Sequence, residues 1–231
     1  MSLNANNPLP EPATPGLAPL YRQPSLDSLT RRALNLAEDG RVLIGLVGEP
    51  GAGKSTLSAQ LCDRAEALLP ARTVAVSMDG FHLAQRVIDA RHQSTRKGTI
   101  DTFDGVGFLA MLARTLRETE TTVWWPEFRR EIEEPVAGAV EVAPHHRLVI
   151  VDGNFLLADQ EPWHRVREHF TEIWFLDAEP QARRERLTRR YIAHGFAAAD
   201  AHAKAGGVDE DTSAAIRRTA SLADLTLTEG R

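Results

Sequence analysis

Cysteine is almost missing from this sequence, because Cys62 is the only one among 231 residues. A single thiol cannot form an internal disulfide, so no disulfide framework can hold this chain together. The sequence also has no uninterrupted apolar run near the ~18 residues that a membrane-spanning helix needs. We find no signal-peptide pattern, and we therefore expect a cytoplasmic protein without a membrane partner.

Positive charge is not in excess either. The formal net charge is −5, so no general affinity for nucleic acid is expected. The Asn-Lys-x-Asp motif of guanine-selective GTPases is absent, as is the Leu-Ser-Gly-Gly-Gln signature of transporter ATPases. Apolar residues make up 42% of the chain and charged residues 26%, which is typical of a globular protein. We predict a flexible, proline-rich tail over residues 1–24 and a single domain over residues 25–231.

The clearest motif is a glycine-rich loop between a predicted strand and a predicted helix. Gly48–Ser55 matches G-x-x-x-x-G-K-[S/T] in full, directly after the apolar run Val42–Val47. Glycines let successive backbone N–H groups point into one concavity for phosphate oxygens, and the following helix adds its positive end. Lys54 is expected to reach the β- and γ-phosphates of ATP, and the Ser55 hydroxyl to ligate Mg²⁺. The predicted nucleotide site comprises Gly48, Glu49, Pro50, Gly51, Ala52, Gly53, Lys54, Ser55 and Thr56.

Strands and helices alternate along the rest of the chain. Further strands are predicted over Thr73–Asp79, Arg147–Phe155, Glu172–Ala178 and, as an edge strand, Ala223–Thr228. Helices are predicted over Ser25–Asp39, Leu57–Leu69, Phe108–Glu118, Pro180–His194 and Asp209–Ala220. Such alternation favours right-handed crossovers and a parallel sheet that is covered on both faces. The predicted fold is α/β, a three-layer α/β/α P-loop NTPase with a five-stranded, mainly parallel sheet and a small helical lid.

Three predicted strands end in a carboxylate: Asp79, Asp152 and Asp177. Ligands of open α/β sheets bind beyond the carboxyl ends of the strands. From there Asp152 can hold Mg²⁺ beside the phosphate loop, or it can serve as a capping or turn residue. Asp79 can accept the proton of an attacking hydroxyl, or Asp79-Gly80 can be a simple turn. The residues alone leave both alternatives open.

Four segments, "GEPGAGKST", "SMDGFH", "KGTIDTFD" and "VIVDGNFLL", occur in this order and carry a family resemblance. Together they resemble the P-loop kinases grouped with uridine kinase, phosphoribulokinase and pantothenate kinase. The resemblance covers roughly residues 42–227 and is strongest to the bacterial nucleoside/nucleotide kinase-like, or fructose-transport kinase, branch. It implies a kinase that uses ATP and Mg²⁺ to phosphorylate a hydroxyl of a small metabolite. A sugar or polyol is favoured over a nucleoside or pantothenate, and a homodimer is a common state among relatives.

The resemblance also implies roles for individual residues. Asp79 is expected to be the catalytic base or a substrate ligand, and Asp152 stands where relatives usually have Glu. Phe128 keeps an aromatic residue of the acceptor segment, but Arg129 stands where Asp is common, which favours an acidic or phosphorylated acceptor. Lys97 belongs to a basic cluster that either binds an anionic acceptor or is a solvated loop. The predicted acceptor site comprises Asp79, His82, Lys97, Phe128, Arg129 and Asn154.

An arginine-rich helix follows the fourth predicted strand. Arg186 and Arg190 lie four residues apart and share one face, within a lid predicted near residues 182–207. Kinases of this class close a lid that brings arginine to the transferring phosphoryl group and expels water. We therefore predict that Arg186 and Arg190 assist Lys54 and Asp79 in catalysis; a merely solvated helix is the alternative.

Two other functions are compatible with a phosphate loop. One is a switch or motor NTPase whose product is a conformational state, and the other is a regulator that senses ATP without a small-molecule acceptor. The intact set of Lys54, Ser55, Asp79 and Asp152 favours the kinase over both.

Overall fold

The computed structural model describes residues 20–22 and 24–228, which contain eight strands and seven α-helices. The strands are β1 (Leu20–Arg22), β2 (Val42–Gly48), β3 (Thr73–Ser77), β4 (Val123–Arg129), β5 (Glu134–Val142), β6 (Leu148–Gly153), β7 (Glu172–Asp177) and β8 (Leu225–Thr228). The helices are α1 (Leu26–Leu36), α2 (Lys54–Leu68), α3 (Gln85–Ala90), α4 (Gly105–Arg117), α5 (Pro180–Ala193), α6 (Ala198–Gly206) and α7 (Val208–Arg217).

Six of the strands form one sheet in the order β1-β8-β7-β2-β6-β3, and every neighbouring pair in it is parallel. All five predicted strands lie in this sheet, which confirms the α/β prediction. The sixth strand is a correction, because Leu20–Arg22 belongs to the segment that was predicted to be a flexible tail. It pairs with β8, so β8 is not the edge strand that the sequence predicted. Residues 1–19 of the predicted tail lie outside the described residues.

The sheet is buried on both faces, as a three-layer fold requires. Leu43 and Val47 of β2 face a core that includes Phe108 of α4. Ile44 of β2 faces the opposite core, together with Leu61 of α2. Successive side chains of a strand point to opposite faces, so an uninterrupted aliphatic run buries both faces at once.

The antiparallel hairpin of β4 and β5 was not predicted from the sequence. Pro126 and Pro135 interrupt its strand pattern, and the register shifts between Trp125 and Glu127, at Pro126. Proline donates no backbone hydrogen bond, so it is tolerated in strands mainly at such irregularities. Trp125 is fully buried and donates from Nε1 to Thr115 Oγ1 at 2.8 Å, whereas Trp124 is half exposed.

The predicted helices are confirmed to within a few residues, and their caps explain where they begin. Ser25 accepts from the Ser28 backbone N–H and starts α1. Asp104 accepts from the Gly107 backbone N–H at 2.8 Å and is the N-cap of α4. None of the helices in residues 20–22 and 24–228 is both long and apolar enough to cross a membrane. Cys62 is half-buried, and burial raises the pKa of its thiol to about 11.

Arg41, just before β2, joins three separate segments. Its guanidinium donates to four backbone carbonyls, at distances of 2.7 to 3.0 Å: those of Thr115, Glu118, Ala143 and His146. Thr115 and Glu118 belong to the end of α4, where carbonyls have no partner within the helix. Arg41 therefore ties the end of α4 and the turn before β6 to the central strand.

Replacing Arg41 with leucine should lower the free energy of unfolding by about 2–4 kcal/mol, because four carbonyls lose their donor. Urea denaturation of Arg41→Leu and wild type measures this difference. Arg114→Ala is the matched control, since it removes an exposed pair with Glu118 that is worth only about 0.3–0.5 kcal/mol. Equal losses in the two variants would show that Arg41 is not a structural anchor.

Candidate active site

The loop after β2 has the conformation that a phosphate-binding loop requires. Gly51 and Gly53 have φ values of +80° and +95°, in the left-handed region that favours glycine. A Cβ on Gly51 would lie 2.8 Å from the Arg183 backbone oxygen, so this position has no room for a side chain. Helix α2 begins at Lys54, directly after Gly53, and its free backbone N–H groups therefore face the same space.

Lys54 is held over this loop by its own backbone. The ammonium group donates to the Gly48 oxygen at 2.7 Å and to the Glu49 oxygen at 3.0 Å. Burial lowers the pKa of Lys54 to about 8, and the negative charges of Asp152 and Asp79 partly counteract that shift. The ammonium therefore lies close to the loop and to two carboxylates, where an incoming phosphate would further favour its charged form.

Asp152 and Asp79 come from adjacent strands. Ser77 of β3 lies directly opposite Asp152 of β6, and Asp79 follows two residues later in a short 3₁₀ turn, Met78–Phe81. Asp152 is buried and accepts side-chain hydrogen bonds from Ser77 and Ser55. Burial raises the pKa of Asp152, and the neighbouring Asp79 charge raises it further. The structure thus brings Ser55, Asp152 and Asp79 together, as the sequence predicted.

These residues fit a Mg²⁺ ion that is shared with phosphate. No group of three His, Cys, Asp or Glu side chains that could hold a metal occurs within the described chain. Mg²⁺ commonly takes one or two protein oxygens and completes its shell with substrate phosphates and water. Ser55 and Asp152, already joined by a hydrogen bond, can supply such oxygens beside the phosphate loop.

An aromatic wall extends from Asp79 to the hairpin. The ring of His82 packs against Phe103 at 3.9 Å and against Phe128 at 4.7 Å between centroids. His82 Nδ1 lies 2.8 Å from the Asp79 backbone oxygen, and because a carbonyl only accepts, Nδ1 carries the hydrogen. Burial lowers the pKa of His82, so the ring is neutral near pH 7 with Nε2 available as an acceptor.

The prediction that Arg129 belongs to the acceptor site is wrong by one position. Arg129 is exposed, pairs with Glu127 at 2.7 Å, and does not line the cavity. The next residue, Arg130, lines the cavity instead, and its Nη2 lies 3.4 Å from Asp79 Oδ2. Arg129 ends β4, whereas Arg130 belongs to the turn that follows the strand. The resemblance placed Arg129 at the acceptor, in a position where relatives commonly have Asp, but Arg130 is the arginine that faces the cavity.

Helices α5 and α6 form the opposite wall. Arg186 and Arg190 both line the cavity, as predicted from their shared helical face. Tyr191 donates to Asp209 Oδ2 at 2.7 Å, and Lys204 of α6 lies over its ring at 5.3 Å. That this segment moves as a lid stays a prediction.

The phosphate loop, the aromatic wall and helices α5 and α6 line a cavity of about 320 Å³. Predicted site residues that line it are Pro50, Gly51, Gly53, Lys54, Ser55, Thr56, Asp79, His82, Lys97, Phe128, Asp152, Asn154, Arg186 and Arg190. Gly48, Glu49 and Ala52 belong to the loop but do not line the cavity. Within the basic cluster, Lys97 lines the cavity with a side chain that is only 14% exposed, whereas Arg91, His92 and Arg96 are exposed.

Glu49 has a different place from the one predicted for it. Its carboxylate is 3% exposed and pairs with Arg183 of α5 at 2.8 Å and with Arg217 of α7 at 2.7 Å. Glu210 of α7 pairs with the same two arginines. This cluster of Glu49, Arg183, Glu210 and Arg217 ties the phosphate loop to both helices. Arg183 is fully buried, and sequence reasoning missed it because exposed and buried arginines look alike in an arginine-rich helix.

A second, more apolar cleft adjoins the first. It has a volume of about 490 Å³ and shares Gly53, Thr56 and Arg186 with the first cavity. Its other lining residues are Pro24, Leu29, Ala52, Leu57, Gln60, Leu176, Asp177, Leu227 and Thr228. Thr212 is buried in α7 and lines neither cleft.

Several known proteins that are similar to the chain are kinases by name. A candidate uridine kinase of Schizosaccharomyces pombe, C227.14, is 31% identical over 185 residues, which are 78% of this chain and 79% of that protein. The uncharacterised protein YggC of Escherichia coli is 38% identical over 160 residues, or 68% of this chain and 64% of YggC. The crystal structure of a candidate fructose transport system kinase from Silicibacter sp. TM1040 is 34% identical, with a TM-score of 0.79. The match covers 88% of this chain and 99% of that one. No family profile matches the chain.

Replacing Glu49 with glutamine should lower the free energy of unfolding by about 1–3 kcal/mol, because the buried Arg183 loses one of its two carboxylate partners. Urea denaturation measures the loss. Glu127→Gln is the matched control, as it breaks an exposed pair with Arg129 and should change stability by less than about 0.5 kcal/mol. If Glu49→Gln were as stable as wild type, the cluster would contribute nothing to holding the loop.

Proposed function

The chain belongs to the P-loop kinases of the uridine kinase family, and we propose that it transfers the γ-phosphate of ATP to a hydroxyl group of a small metabolite. The observation that carries this proposal is the meeting of Lys54, Asp79 and Asp152 in one cavity, with Arg186 and Arg190 on the facing helix. A phosphate-binding loop alone would suit any NTPase. A kinase also needs a general base with room for an acceptor beside it, and Asp79 in this cavity meets both requirements.

The nucleotide is the phosphoryl donor, and its two ends match the two clefts. The phosphates bind at Pro50–Thr56, where Lys54 and the start of α2 supply positive charge. The nucleoside occupies the second cleft, whose leucines offer an apolar surface to the base. Ser55 and Asp152 would hold Mg²⁺, which when bound neutralises charge on the phosphates.

Asp79 is the proposed base of the reaction. Its side chain is 32% exposed and lines the cavity, so a hydroxyl of the acceptor can reach it. The hydroxyl proton passes to the Asp79 carboxylate as the acceptor oxygen bonds to the γ-phosphorus. The bond between that phosphorus and the β–γ bridging oxygen breaks, and ADP leaves.

The acceptor lies between Asp79 and the hairpin. His82 Nε2 can accept a hydrogen bond from a second substrate hydroxyl, and Phe128 can cover an apolar face of the substrate. Asn154 offers an amide that both donates and accepts. This mixture suits a sugar or related polyol, the acceptor class that the family resemblance also favours.

Arg186 and Arg190 are proposed to stabilise the charge that develops on the transferring phosphoryl group. Leu187 of the same helix also lines the cavity, and with Arg183 it packs against Gly51 of the loop. The cluster around Glu49 fixes the start of α5 to that loop, so both arginines are held at a set position over it.

Replacing Lys54 or Ser55 with alanine should abolish ATP turnover, because these residues would contact the phosphates and the metal. ADP release from Mg·ATP measures turnover, and thermal melting confirms that each variant is folded. Turnover that persists in either variant would remove the phosphate loop from the mechanism.

Asp79→Asn should reduce phosphoryl transfer by at least ~10²-fold while leaving ATP binding largely intact, as expected for loss of a general base. The measurement is acceptor-dependent ADP release, run with sugars, polyols, nucleosides and pantothenate and with a control that lacks acceptor. Release that ignores every acceptor would favour a switch NTPase or an ATP-sensing regulator. A wild-type rate in the variant would make Asp79 a turn residue only.

A further inference from the structure

Two cations flank the acceptor end of the cavity. The Lys97 ammonium lies 5.3 Å from the centroid of the Phe128 ring, and the Arg130 guanidinium carbon lies 5.8 Å from the same centroid. Both residues line the cavity, and neither belongs to the phosphate loop or to the lid helices. They come instead from the segment after α3 and from the turn of the hairpin.

Both cations have carboxylate partners, but the two pairs differ. Lys97 donates to the Glu133 backbone oxygen at 2.9 Å and to the Glu133 carboxylate at 3.3 Å, and these two contacts hold the ammonium group in place. The Arg130 pair joins one guanidinium nitrogen to one oxygen of Asp79 at 3.4 Å. That contact is long for a charge-assisted hydrogen bond, and it leaves the guanidinium fork able to take a better partner.

The partner of Arg130 is also the proposed base. A carboxylate that receives a proton from a substrate hydroxyl must turn an oxygen toward that hydroxyl. An anionic group on the substrate would draw the guanidinium away from Asp79 and leave the carboxylate to the hydroxyl. Recognition of the acceptor and release of the base would then be one event.

The charge of the whole cavity agrees with this arrangement. Six Lys and Arg residues line it against four Asp and Glu residues, although the chain as a whole carries a net charge of −5. The phosphates of the donor account for the cations around the loop and lid. Lys97 and Arg130, beyond Asp79, remain for the acceptor.

We propose that the acceptor is an anionic hydroxy compound, with a carboxylate or phosphate group bound between Arg130 and Lys97 and a hydroxyl at Asp79. This inference rests on the proposed kinase activity and names the class of its acceptor. Guanidinium binds either kind of anion through two parallel hydrogen bonds, so the two share one chemistry here. Both cations lie over the ring of Phe128, and His82 can bind a further hydroxyl.

The test uses sets of three related acceptors: a neutral polyol or sugar, the sugar acid derived from it, and its phosphate ester. ADP release is measured for each with the wild-type enzyme. At least one anionic member should have a kcat/KM at least about tenfold above its neutral counterpart, and the acid and the ester separate carboxylate from phosphate recognition. A neutral compound that is the best acceptor in every set would overturn the proposal.

Arg130→Met should lower kcat/KM for the anionic acceptor by about 10- to 100-fold, mainly through KM, the effect of losing a charged hydrogen-bond partner. The kcat/KM for the neutral acceptor should not fall, because this compound has no anionic group for Arg130 to bind and the variant also frees Asp79 from its contact with Arg130. Arg129→Met is the matched control, because this neighbouring arginine pairs with Glu127 outside the cavity. Equal losses for neutral and anionic acceptors in Arg130→Met would indicate a structural role and refute the anion site.

Failure of the kinase proposal gives a different result. If no acceptor stimulates ADP release, calorimetric titration of the anionic compounds into wild type and Arg130→Met still tests the anion site. Binding that Arg130→Met loses would support the site without the kinase reaction. Binding that is absent from wild type, or equal in the two proteins, would overturn it.

Discussion

Parallel pairing of β2, β6 and β3 is the constraint on which the site depends. The pairing of β2 with β6 sets Val47 opposite Gly153, and the pairing of β6 with β3 sets Ser77 opposite Asp152. Because parallel strands end at the same edge, the loops that follow them meet there. The phosphate loop, the buried carboxylate and the proposed base are therefore brought together by the backbone. The strand register sets the positions of these residues, and their side chains supply the charges and hydrogen bonds of the site.

Concentrating charge at one edge is costly unless each charge has a partner. Lys54 illustrates this cost, since burial lowers its pKa to about 8 although two carboxylates lie nearby. Glu49 and Arg183 are almost fully buried, and their mutual contacts offset the loss of hydration. The cavity is thus ready for phosphate, and the buried pair behind it keeps the loop and α5 together. The charges that line the cavity are available to bind ligand, whereas the buried pair of Glu49 and Arg183 stabilises the fold.

Some elements of the fold are evident in the sequence and others are not. The aliphatic strands and the phosphate loop were predicted correctly, because a strand that is buried on both faces leaves a pattern that few alternatives share. The hairpin was missed because Pro126 and Pro135 disrupt the alternation by which strands are recognised. Strand β1 was missed because three residues in a proline-rich segment carry no periodic signal. Its hydrogen bonds depend on β8, some two hundred residues later.

The sequence by itself determined the five aliphatic strands, the phosphate loop and the carboxylates at or just after strand ends, because these depend on local residue types and spacing. Only the tertiary structure decided which charges face the cavity. Arg130 lines it and Arg129 does not, while Glu49 turns away from it toward Arg183. Adjacent residues of the same type, such as Arg129 and Arg130, cannot be told apart by residue type and spacing. Their directions are set by contacts with segments that are distant along the chain.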